Sequence, residues 1–89
     1  MEISKAFGAI LRRSREEKDL SQDALARSCG LDRTFISLLE RGLRQPSLAT
    51  VFKVADELGL SAAELVRQVE SYQKRGTRKS LLRVPSARV

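Results

Sequence analysis

The chain has 89 residues, with 17 Lys and Arg against 11 Asp and Glu, a single cysteine and no histidine. This length makes one small domain. The residue counts exclude the usual zinc clusters and Ser-His or Cys-His nucleophile pairs, and Cys29 has no partner for an internal disulfide. No apolar run approaches the roughly 20 residues that span a bilayer, and the opening MEISKAFGAI is too short and polar for a signal peptide. The expectation is a cytoplasmic protein, not an enzyme, with no metal or cofactor. Residues 1–72 balance at 11 charges of each sign, so the whole net charge of +6 falls on residues 73–89, at Lys74, Arg75, Arg78, Lys79, Arg83 and Arg88. That tail favours a polyanion, but within the body any such recognition has to come from local clustering.

Ile3, Phe7, Ile10 and Leu11 have the 3-4 spacing of an amphipathic helix over residues 3 to 18, with Ser4 as its N-cap and Asp19 in the left-handed turn that ends it. Ser21 caps a second helix, with Leu25, Ala26 and Cys29 facing inward. Gly30 sits where the chain must turn at positive φ. Asp32 caps a third helix that carries Phe35, Ile36 and Leu39 and stops at Gly42. Two short helices joined by a glycine turn, with small or apolar side chains between them and charged or hydroxyl ones at the start of the second, have the layout of a helix-turn-helix. In that motif the second helix enters the DNA major groove.

Pro46 keeps Gln45 out of helical conformation, so Leu43–Pro46 is a loop. Ser47 caps a fourth helix with an apolar stripe of Leu48, Val51, Phe52, Ala55 and Leu58. Ser61 and Glu64 form a capping box for a fifth helix. The domain is therefore all-α, five helices over residues 1–72, followed by a basic tail at 73–89 that is either flexible or docks a partner through Leu81, Leu82 and Val84.

The runs LSQDALA, Gly30-Leu31, FISLLERG, Pro46-Ser47-Leu48 and ADELGLS resemble the lambda-repressor-like (Xre-type) DNA-binding domain between Phe7 and Val69. LDRTFISLLERGLRQPSL is similar to the controller proteins of restriction-modification systems, with Phe35 where their pattern often has tyrosine. The resemblance implies a compact five-helix fold and double-stranded DNA as partner. It places Arg33, Thr34 and Ser37 against bases. Arginine can donate two bonds to guanine, and threonine and serine offer a methyl or hydroxyl. Gln22, Phe35, Arg41, Arg44 and Gln45 are implied on the DNA backbone, where they position without specifying sequence. Arg15 and Glu40 match a structural pair that ties the first helix to the third.

Val66, Val69 and Tyr72 add more apolar surface than a terminal helix needs, so a two-fold homodimer on a pseudo-palindromic operator is expected. The leading function is a sequence-specific transcriptional regulator, repressing by occlusion or regulating its own gene. The alternatives are an antitoxin whose tail binds a toxin, a restriction-modification controller that both activates and represses, and a protein-interaction module that has lost DNA binding.

Overall fold

In the computed structural model, which describes residues 1–76, five helices follow one another: α1 (Ile3–Glu17), α2 (Gln22–Cys29), α3 (Arg33–Glu40), α4 (Leu48–Glu57) and α5 (Ala62–Gly76). Helices α2 and α3 have eight residues each, too few to persist alone, so their placement depends on packing. Ile10, Leu11, Leu25, Ile36, Leu39, Val54, Leu58 and Leu65 are fully buried, and every helix contributes to this core.

The helix ends follow the sequence closely. The Ser21, Ser47 and Ser61 hydroxyls accept from the N–H groups of Ala24, Thr50 and Glu64 at 3.0, 3.1 and 3.0 Å. Asp19 takes φ 57° after α1, as its short polar side chain permits. Gly30 takes φ 68°, while the N–H of Leu31 donates to the Ala26 carbonyl at 2.8 Å, closing α2 and aiming the chain into α3.

Five expectations need correction. Ser4 does not cap α1; the cap position lies two residues earlier, at Glu2, which makes no side-chain bond there, and Ser4 is buried inside the first turn. Asp32 has cap geometry but makes no side-chain capping bond. The capping box at Ser61 is half made, because the Glu64 carboxylate turns forward to Arg67 and Gln68. In α4 the buried stripe is Val51, Val54, Ala55 and Leu58; Leu48 and Phe52 remain 72% and 58% exposed, on flanks that neither α2 nor α5 covers. Finally, α5 continues through Gly76, so the first four residues assigned to the tail are helical. Lys74 pairs with Glu70 at 3.5 Å, and the Arg75 guanidinium lies 5.8 Å from the Tyr72 ring centre. The docking residues Leu81, Leu82 and Val84 lie outside the described residues.

Helix α1 meets α3 at Gly8. A Cβ built there would stand 2.4 Å from the Leu39 carbonyl oxygen and 2.5 Å from that of Glu40. Both contacts are with backbone, so no side chain can swing away. Replacement of Gly8 by alanine should gain about 1 kcal/mol of helix propensity and lose more than that by forcing α3 off α1, since overpacking costs about 1–3 kcal/mol and occasionally more. Urea titration should show Gly8→Ala less stable than wild type; an equal or higher midpoint would mean that α3 yields freely.

Candidate nucleic-acid interface

A short recognition helix must be held from behind if its front is to stay free. The Arg15 side chain does this from α1. Its Nε donates to Glu40 Oε2 at 2.6 Å and its Nη2 to Glu40 Oε1 at 3.0 Å, a two-pronged pair across 25 residues of sequence. Its Nη1 donates to the Leu20 carbonyl at 2.7 Å, fixing the α1–α2 link. Gln22 Nε2, on the first turn of α2, donates to Glu40 Oε1 at 3.0 Å. One carboxylate, only 3% exposed, thus ties α1, α2 and the end of α3 together. The hydrogen bonds that Arg15 donates to Glu40, with the carboxylate's charge, hold its guanidinium above its ordinary pKa despite burial.

With its far end anchored, α3 presents its near end to solvent. Arg33 and Thr34 are exposed and Ser37 is half-buried one turn on. Among the described residues, Arg33 has no ion-pair partner. Arg41, Arg44 and Gln45 are exposed at and beyond the C-cap of α3. Phe35 is half-buried and packs on the core, so its ring supports α3 from within while keeping part of its surface open.

The expected base-facing residues therefore share one exposed helix end, and the expected backbone-facing residues Arg41, Arg44 and Gln45 continue from the other end of the same helix. Gln22 braces Glu40. Cys29 is buried in the core and its thiol is pushed up in pKa by burial, which suits a packing residue. Sequence reasoning overlooked Gly8 and the open apolar side chains of α4. The glycine's role depends on a backbone approach that no local pattern encodes.

The helix-turn-helix family profile matches residues 11–65. The chain belongs to the lambda-repressor-like helix-turn-helix family. It is 40% identical over 70 residues to control protein C.MunI of Mycoplasma sp, covering 78% of this chain and 95% of that protein. The restriction-modification controller protein C.AhdI of Aeromonas hydrophila is 42% identical and superposes with a TM-score of 0.68, over 70% of this chain and 94% of that one. The clp gene regulator ClgR of Corynebacterium glutamicum is 27% identical with a TM-score of 0.79, over 93% and 89%. These helix-turn-helix relatives are regulators, and the geometry of the present family member is that of a DNA-binding transcriptional regulator.

Removal of either member of a buried ion pair leaves an uncompensated charge and costs about 3–5 kcal/mol. Arg15→Ala and Glu40→Ala should each lower stability by an amount of that order. The double variant should fall short of the sum, because each single change already breaks the pair. Additive losses in a urea double-mutant cycle would show that the two side chains act separately.

Proposed function

We propose that this DNA-binding regulator acts as a homodimer on a pseudo-palindromic operator and represses by occlusion, controlling its own gene among others. The observation that carries the proposal is the exposed start of α3. Arg33 and Thr34 stand free there, on a helix locked from behind by Glu40. Arg33 donates two parallel bonds to the O6 and N7 of a guanine, Thr34 offers its methyl to thymine, and Ser37 reaches the next base pair with its hydroxyl. Gln22, Phe35, Arg41, Arg44 and Gln45 follow the phosphates and fix the register.

Dimerisation is supported by surface left open on α4 and α5. Val66 is 50% exposed, and Leu48 and Phe52 more so. The three interface positions named from sequence do not contribute alike. Val69 is 95% covered within the monomer and serves its core, and Tyr72 is half-covered there, so Val66 supplies the free apolar contact. Repression is favoured over activation because Asp23, the acid on α2 open to a polymerase, is paired with Arg27 at 2.9 Å. Similarity to a control protein and a restriction-modification controller protein supports a role in control of gene expression.

Selection of bound sites from random double-stranded DNA should return two inverted half-sites with a fixed guanine in each. Arg33→Ala should then lose about 1–3 kcal/mol on that sequence while binding unrelated DNA as before. Equal losses on both DNAs would make Arg33 a phosphate contact. In sedimentation at tens of micromolar, wild type should run as a dimer and Val66→Asp as a monomer. A monomeric wild type would remove the dimer from the proposal.

A further inference from the structure

We propose that helix α1 carries a second, sequence-blind DNA contact: an open basic recess in which Lys5 and Arg13 join Arg41 to hold phosphates flanking the half-site read by α3. The inference rests on the DNA-binding reading above and extends the interface to a helix outside the helix-turn-helix. Lys5, Arg12, Arg13 and Arg41 line one recess of about 360 Å³ between the outer side of α1 and the end of α3. Two carboxylates also border it, and both are already occupied. Glu40 is held by Arg15 and Gln22, and Glu16 pairs with Arg12 at 3.1 Å.

Lys5, Arg13 and Arg41 are exposed and have no carboxylate partner among the described residues. Residues 1–72 carry no net charge. Three uncompensated cations lining one hollow are therefore a local concentration against a neutral background, and their mutual repulsion falls when an anion shares the site. The recess is wide and open, so a small ion would stay hydrated in it. A polyanion gains instead through release of its own counterions. Position selects which polyanion. The recess shares Arg41 with the C-cap of α3, so it begins where the recognition helix stops, and a duplex seated on α3 and the Arg44-Gln45 loop continues past it.

The test uses the full chain and the duplex recovered by selection from random DNA. The variant is Lys5→Gln combined with Arg13→Gln, two exposed changes that leave the core and Glu40 untouched; circular dichroism checks that it folds. Each phosphate contact contributes about 0.9 to the slope of log affinity against log salt. The double variant should lose about 1.8 of that slope per bound protomer and bind roughly tenfold to a hundredfold more weakly at 0.1 M salt. Its order of preference among half-site variants should match wild type. A slope and affinity equal to wild type would overturn the proposal, and so would altered base preference with an unchanged slope. Wild type that binds with the expected slope but no sequence preference would overturn the reading of α3 and leave the recess as a general DNA contact.

Discussion

The structure depends on the two-pronged bond between Arg15 and Glu40. The Glu40 carboxylate is almost wholly withdrawn from solvent, yet it accepts from three donor groups on two helices: two guanidinium nitrogens of α1 and the amide of Gln22 on α2. A buried charge is tolerated only when its hydrogen-bonding capacity is met in this way. The same arrangement sets direction. An apolar face alone lets a short helix slide or rotate by a fraction of a turn with little loss. A bidentate pair does not, because both bonds lengthen together. Glu40 lies at the last turn of α3, so fixing it fixes where Arg33 and Thr34 stand at the opposite end.

Gly8 and Arg15 act on α3 as two points of one support. They lie seven residues apart on α1, which is about two helical turns and hence the same face. At Gly8 the backbones of the two helices touch through carbonyl oxygens, and at Arg15 a long side chain reaches across. The first sets the separation of the helices and the second their relative rotation. This division leaves the exposed side of α3 with no structural duty, so its residues are available for recognition. Such a separation of tasks is valuable in a domain with so small a core.

Much of this was legible in the chain. Ser21, Asp19, Gly30, Gly42 and Ser47 each state a local backbone requirement that holds whatever surrounds it, and the structure meets all five at their places. The helix-turn-helix was readable from its own layout of two short helices about the Gly30 turn, whereas the Arg15–Glu40 pair was reached through family resemblance, which carries tertiary information that spacing alone lacks. What escaped was set by packing. Leu48 and Phe52 fit the apolar period of α4, but only the placement of α2 and α5 decides which flank is covered. Val69 offered itself equally to a core or a partner until α1 was seen to lie against α5. The continuation of α5 to Gly76 was masked by a basic composition that reads as tail, although Lys74 and Glu70 have the i, i+4 spacing that supports helix.

The central claim is that the free end of α3 meets the bases while α1 and the core hold it from behind. Amide chemical-shift mapping of isotope-labelled protein titrated with its selected duplex tests this most directly. The account predicts the largest changes at residues 33–37, with a second group at Gln22 and at 41–45, and small changes over α4. Large changes on α4 and α5 with residues 33–37 unmoved would contradict it.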